Sequence, residues 1–318
     1  MKMKTIKNFN FKNKRVFVRC DFNVPLDSKG NVVDDFRIQQ TVPTLKYLQD
    51  KGARLILASH RSDNKNLSST WLRLKKYLDL KGAELLDNLR LDKGEEENDD
   101  NFAKQLAGLA EIYINDAFGV CHRAHASVVG LPKYLPSGAG FLLEREVEVL
   151  FQVLENPKRP LVIIVGGAKI ESKSRVINNF LNKADQILVG GKITQAFKID
   201  SPTVYFAIDN NKNLDIGPKT IKMFSNIIKK AGTIVWAGPL GRFEDPLYQK
   251  GTEEIAREIT KNKKAFKVAG GGDTIFALLK FGLRDKFDHV STGGGAMLNF
   301  LAGEKLPGLQ ALGYYGGN

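Results

Sequence analysis

Cysteine is nearly absent. The two present, Cys20 and Cys121, cannot build a disulfide framework and suit a reducing compartment. No apolar run reaches membrane-spanning length, and residues 1–18 hold no uninterrupted signal-peptide core, so a soluble cytoplasmic chain is expected. Histidine is scarce, with four in the chain. His122 and His125 stand three apart, but no carboxylate or third histidine follows at zinc spacing, which leaves them structural or substrate-facing roles. There is no low-complexity tract and no repeat of solenoid period. Neither G-x-x-x-x-G-K-[ST] nor G-x-G-x-x-G occurs. Acid is in short supply: 35 Asp+Glu against 48 Lys+Arg leave a net charge of +13, a surface that prefers anionic company. The basic residues are scattered through amphipathic segments and form no tail or aromatic-interleaved stripe, which argues against nucleic acid. The acidic run 95–100 reads as a solvated loop and helix start.

What is present is a grammar of short apolar runs, each ending in chemistry. A length of 318 residues permits two domains, set here at 1–150 and 151–318, with the last residues free to pack back on the first. Residues 144–155 read as a helical linker between them. In the first half, strands at 15–19, 55–58 and 112–114 alternate with helices at 38–51, 69–80 and 102–110, the pattern of a parallel sheet covered on both faces. The polar stretches after these strands and a neighbouring apolar segment supply Asp21, Asn23, Arg37, His60, Arg90 and Arg123. That set suits a small anion with carboxylate, hydroxyl and phosphate groups, because arginine forks match such oxygens two at a time. In the second half, strands at 161–165, 186–189, 203–208, 233–236, 266–269 and 289–290 are expected. Five of them run into glycine-rich turns: Gly166-Gly167, Gly190-Gly191, Gly238, Gly270-Gly271-Gly272 and Gly293-Gly294-Gly295. Leu161–Val165, the glycine pair and the helix pattern after Lys169 would aim bare N–H groups and a positive helix end at an anion, with Lys169 and Lys173 one turn apart beside it. One carboxylate, Asp273, stands among these turns, as a polyphosphate carrying Mg²⁺ would require. One domain per substrate with a helical connector suggests closure by hinge bending.

The motifs RCDFNVP, DDFRI, DNLR, NDAFGVCHRAHAS, GFLLERE, GGAKIESK, LDIGPKT, WAGPLGRFE, GGGDT and STGGGA fall in one order along nearly the whole chain. In that order they resemble the phosphoglycerate kinase family. The resemblance implies two Rossmann-like α/β/α domains joined by a helical hinge. It also implies reversible phosphoryl transfer from 1,3-bisphosphoglycerate to Mg-ADP, giving 3-phosphoglycerate and ATP, by a monomer with no nucleic-acid or membrane partner. Carried over by position, Asp21, Asn23, Arg37, His60, Arg61, Arg90 and Arg123 resemble the phosphoglycerate site. Gly167, Lys169, Lys173, Gly191, Pro239, Gly241, Glu244, Gly270, Gly271, Gly272, Asp273, Thr274, Gly293 and Gly294 resemble the nucleotide site, with Asp273 nearest the metal. Arg37, Lys169, Lys173, Gly272 and Gly295 are the residues the resemblance sets at the transferred group.

The chain also departs from the family's pattern. Where an arginine is usual three residues after His60, Asp63 stands, and Arg61 is the candidate to reach in its place. Lys192 occupies the position of a third glycine, Ala237 that of an asparagine, and Lys198 to Leu214 replace a much longer segment that usually helps to build the adenosine pocket. A shorter loss falls around residues 62–84. The phosphate end of the nucleotide site is therefore expected to be better preserved than the adenine end. The rival reading is a non-catalytic or regulatory phosphoglycerate-binding paralogue.

Overall fold

The computed structural model describes residues 3–63 and 65–316. The chain divides into two compact units, one comprising residues up to Val147 together with those from Lys305 onward, the other Glu148–Glu304. The division falls inside the helix Phe141–Glu155. Residues 305–316 thus leave the span 151–318 set for the second domain. Leu306 and Leu309 are buried, and the Gly308 amide donates to the Cys121 carbonyl at 2.9 Å, which ties the short helix Pro307–Ala311 to the first unit.

The first unit is built on five parallel strands: β1 (Arg15–Arg19), β2 (Arg54–Ala58), β3 (Glu84–Leu85), β4 (Ile112–Asn115) and β5 (Ser137–Ala139). Their order across the sheet is β3-β2-β1-β4-β5. β1 and β2 bury every residue but the first, the pattern of strands covered on both faces. Helix Phe36–Asp50 buries Ile38, Thr41, Leu45 and Leu48, spaced three or four apart, in the core with Val16, Val18, Leu55 and Leu57. Arg19 pairs in register with both Ala58 and Asn115, so the residues after β1, β2 and β4 leave the sheet along one edge.

The second unit holds a six-stranded parallel sheet of β6 (Leu161–Val165), β7 (Gln186–Val189), β8 (Val204–Phe206), β11 (Thr233–Ala237), β12 (Phe266–Gly270) and β13 (His289–Val290), ordered β13-β12-β11-β6-β7-β8. A separate antiparallel hairpin pairs β9 (Asn210–Asn211) with β10 (Asp215–Ile216). Lys212 and Asn213 at its turn both have positive φ, the backbone that matches the twist of a tight hairpin. β6 is buried at all five positions, and Val162 and Ile164 share a core with Leu188, Ile234, Trp236, Phe224 and Ile255. Val165 pairs with both Ala237 and Val189, and Ala237 with Gly270, so four glycine turns emerge at one edge.

Three local expectations change. The helix expected over 69–80 closes at Leu74, where Leu74 is the last residue to bury a side chain before three exposed ones. The strand over 203–208 keeps only Val204–Phe206. Ser137–Ala139, too small and too short to show apolar alternation, is a strand paired with β4.

Replacing Ile164 by alanine removes buried methyls from the centre of the second unit's core and should cost about 2–5 kcal/mol. Trp236 packs in that core and Trp71 belongs to the first unit, so a urea titration in a Trp71→Phe background reads the loss directly. An unchanged midpoint would show that the site repacks.

Candidate active site

In the first unit, strand order reverses at β1/β4, the place where an open parallel sheet leaves a crevice at its carboxyl ends. Asp21 lies just beyond β1, buried, with its carboxylate 3.2 Å from Arg37 Nη1 and accepting the Asn23 amide. The same Nη1 donates to the Asn23 carbonyl at 3.1 Å, which locks Asp21, Asn23 and Arg37 into one constellation. Burial pushes the Asp21 carboxyl up, but Arg37, then His60 and Arg19, outweigh it and hold the group below the usual carboxylate range. His60 is buried beyond β2; burial first and Arg19 next pull its imidazole down to about 2, with Arg90 and Arg123 adding to the effect. Burial and the neighbouring Arg123 likewise lower Arg90, whose buried Nη2 finds no hydrogen-bond acceptor. Arg123 Nε contacts His122 Nε2 at 3.4 Å, and burial pulls His122 down to about 4. Arg90 Nε approaches Glu96 at 3.1 Å, so among these groups it is Arg90 Nη2 that stands buried with an open donor beside other basic side chains. Such a cluster is costly to fold without an anion.

Arg61 does not join it. Its guanidinium is clamped by both Asp63 oxygens and by the Asn66 carbonyl. It lines a cavity of about 630 Å³ together with Asn23, Ser62, Asp63 and Lys65, and that lining contains neither Asp21 nor Arg37, His60, Arg90 or Arg123.

In the second unit the order reverses at β6/β11, and the glycine turns after those strands interlock. The Gly166 amide donates to the Ala237 carbonyl at 3.0 Å. Gly167 has a φ of 81°, a backbone that favours glycine, and a β-carbon there would meet the Lys173 ammonium, the end of a flexible side chain that would have to shift. A cavity of about 210 Å³ opens beside these turns, lined by Gly167, Gly191, Pro239, Gly241, Glu244 and Asp273 among the residues named from sequence. Lys169 is the residue before the helix Ile170–Phe180. Lys173, one turn in, is buried with its ammonium on the Gly166 carbonyl. Burial, against the pull of Asp273 and with the push of Lys169, brings it down to about 8. Asp273 sits in the first turn of the helix Gly272–Lys280, where a carboxylate gains from the helix dipole. Thr274 stands behind the wall: it is fully buried, and its hydroxyl accepts the Gly238 amide at 2.7 Å. Gly270 packs on Met297, and Gly294 packs on Gly271, which joins the turn after β12 to the one carrying Gly293 and Gly295.

Sequence reasoning passed over several residues. Ala168, Lys192, Asn213, Leu214 and Arg242 also line the smaller cavity. Three of them are direct neighbours of the named Gly167, Gly191 and Gly241, while Asn213 and Leu214 arrive through the hairpin. Glu95 corrects the reading of 95–100 as solvated: its side chain is fully buried, and both its oxygens accept from Ser127. The signal was Arg19, a charge directly after the apolar run Val16–Val18, which needed a buried partner.

The phosphoglycerate kinase family model matches residues 6–81, 75–204 and 203–304. The phosphoglycerate kinase of Dictyoglomus turgidum is 40% identical, covering 96% of this chain and 97% of its own length, and that of Moorella thermoacetica is 38% identical, covering 97% and 98%. The first alignment runs over 386 residues, so the relative carries segments that this chain of 318 lacks. Among solved structures, phosphoglycerate kinase from Coxiella burnetii superposes with a TM-score of 0.82 at 32% identity, covering 98% of this chain and 99% of the other. The enzyme from Pyrococcus horikoshii does so with 0.87 at 28%, covering 98% of each. With the motif order, the two parallel sheets and the full-length matches in agreement, the chain is a shortened member of the phosphoglycerate kinase family.

Proposed function

We propose that this chain catalyses reversible phosphoryl transfer between the acyl phosphate of 1,3-bisphosphoglycerate and ADP, with Arg37, His60, Arg90 and Arg123 as the phosphoglycerate half-site and the glycine turns of the second unit as the nucleotide half-site. The observation that carries the first assignment is the gathering of Arg37, Arg90 and Arg123 at the β1/β4 edge, with Arg90 Nη2 buried there without an acceptor. Such donors suit an anion that accepts two oxygens at a time. Asp21 and Asn23 then orient Arg37 and offer acceptors to the substrate hydroxyl.

Neither direction needs a general base, because a carboxylate or a diphosphate oxygen is already a competent nucleophile. What lowers the barrier is positive charge on the equatorial oxygens of the moving group. Arg37 from one half-site, and Lys169, Lys173 and the amides around Gly272 and Gly295 from the other, are the donors assigned to it. Asp273 and Glu244 give the smaller cavity two hard oxygen-bearing side chains, a donor set suited to Mg²⁺. Among the described residues there is no group of three His, Cys, Asp or Glu side chains that could hold a metal ion, so phosphate oxygens would complete its shell. Bound there through Asp273, Mg²⁺ would neutralise polyphosphate charge. No helix among the described residues is long and apolar enough to cross a membrane.

Purified protein supplied with 1,3-bisphosphoglycerate and Mg-ADP should form ATP in a coupled assay. Lys169→Ala and Arg37→Ala should each lower kcat by roughly 10²–10³-fold while moving KM less. Binding of 3-phosphoglycerate with no ATP from any nucleoside diphosphate would establish the non-catalytic paralogue instead.

Lys173 gives a pH signature. A polyphosphate favours the charged ammonium, so it raises a free-state value of about 8, and binding near pH 8.5 takes up protons whereas binding at pH 6.5 does not. Titration calorimetry of Mg-ADP in two buffers of different ionisation enthalpy should give different heats at pH 8.5 and equal heats at pH 6.5. Equal heats at both would remove Lys173 from the phosphate contact.

Asp63→Ala frees the Arg61 guanidinium and removes a negative charge. If Arg61 can reach the anion, 3-phosphoglycerate should bind roughly two- to fivefold tighter by calorimetry. Unchanged or weaker binding would exclude Arg61 from the site.

A further inference from the structure

Behind His60 lies a buried chain of polar groups that no step of the transfer uses. Arg19, at the end of β1, is completely buried, as is Glu95, and the two approach to 3.6 Å. Every face of the guanidinium is engaged. Nε donates to Ser127 Oγ at 2.7 Å, Nη1 donates to the Cys20 carbonyl at 2.6 Å, and Nη2 meets His60 Nδ1 at 3.3 Å. Ser127 in turn gives its hydroxyl and its amide to the two Glu95 oxygens, at 2.6 and 2.8 Å, and Tyr113 hydrogen-bonds the Ser127 carbonyl. These groups come from β1, β4, the short helix Lys93–Glu97 and the turn Ala126–Gly130, so four separate segments fix one guanidinium.

A guanidinium carries donors and no acceptor, so the His60 nitrogen facing it must offer a lone pair. In a neutral imidazole the hydrogen then resides on Nε2. Protonating Nδ1 would set two positive groups against each other in a buried place, a cost that Coulomb's law makes large at this separation. The other charges facing His60 are Asp21, which favours protonation, and Arg90 and Arg123, which oppose it; burial opposes it most.

We propose that Arg19 and Glu95 are positioning residues for His60: Arg19 holds the imidazole neutral with its hydrogen on Nε2, and Glu95 with Ser127 holds Arg19. His60 is then a fixed hydrogen-bond donor to the substrate and supplies no positive charge. The part about substrate rests on the phosphoglycerate assignment above; the part about tautomer and protonation does not.

The experiment is ¹⁵N-detected histidine NMR on the full chain between pH 5 and 8, with the His60 signals identified by their loss in His60→Gln. A single Nε2–H tautomer is expected, with shifts that stay flat over that range. In Arg19→Met the lone pair loses its donor and the adjacent charge. His60 should then populate the Nδ1–H tautomer beside the Nε2–H one and protonate more readily, though only part of the way because burial still opposes it, and KM for 3-phosphoglycerate should rise while kcat moves less. A merely structural role for Arg19 would leave tautomer and titration as they were, and that result overturns the proposal. So does a wild-type His60 that carries its hydrogen on Nδ1 or titrates between pH 5 and 8, a measurement that is decisive even if Arg19→Met fails to fold. A protein without kinase activity whose His60 is nonetheless a flat Nε2–H tautomer sinks the functional reading and leaves the positioning pair intact.

Discussion

Everything chemical in this chain sits where a parallel sheet changes the direction in which it is wound. From β1 the chain adds β2 and β3 to one side and then β4 and β5 to the other; from β6 it adds β7 and β8, then β11, β12 and β13. The loops leaving the central pair must therefore part company, and a crevice opens at their carboxyl ends. Register sharpens the effect. Because Arg19 pairs with both Ala58 and Asn115, and Val165 with both Ala237 and Val189, the turns that follow start at one level and face the same crevice. The buried apolar residues of β1 and β6 are thus the reason that Asp21 and Gly166 stand where they do.

The two crevices solve the problem of holding an anion in opposite ways. The first uses side chains, and burial with mutual repulsion is the consequence: burial and then Arg123 lower Arg90, and burial and then Arg19, with Arg90 and Arg123, lower His60. Asp21, held ionised chiefly by Arg37, sits among them as a counter-charge, as do Glu96 on Arg90 and Glu95 on Arg19. The second uses backbone, which brings dipoles without net charge, and its turn places Gly167 at a φ of 81° with the Lys173 ammonium close against it. Its lysines add charge, and Lys173, buried at the turn, already sits near its titration point. A single phosphoglycerate is well served by directional forks. A flexible polyphosphate is better served by a wall of amides.

The strands and the residues just after them were legible because apolar runs ending in glycine, arginine or histidine are a local pattern. Asp21, Asn23, Arg37 and His60 came out together for that reason. What sequence could not show depended on groups distant along the chain. Arg61 reads as a free phosphate ligand until Asp63 and the Asn66 carbonyl are seen to close on it. Glu95, among seven consecutive acidic or amide residues, reads as surface, and the buried Arg19 and Ser127 explain why it is inside. Lys192 and Arg242 follow glycines and look like turn residues with solvated heads, yet they line the smaller cavity.

The span 198–214, where the resemblance sets a longer segment in the family, is closed over by local contacts. The residues replacing that segment end in the β9–β10 hairpin, and the hairpin is fastened at its base by Asp215, whose carboxylate accepts the Gly251 amide at 2.7 Å and the Ile216 amide at 2.9 Å. Burial raises that carboxyl to about 6, and the two amides oppose the rise without reversing it. Ile216 joins the core of the sheet, and Asn213 and Leu214 reach the wall of the cavity beside Gly191 and Gly241. The shortening is therefore closed over by local contacts that leave the order of the six strands and the interlocked glycine turns in place. In the proposed reading the phosphate wall is made from those turns, so its backbone comes from the sheet and not from the span 198–214.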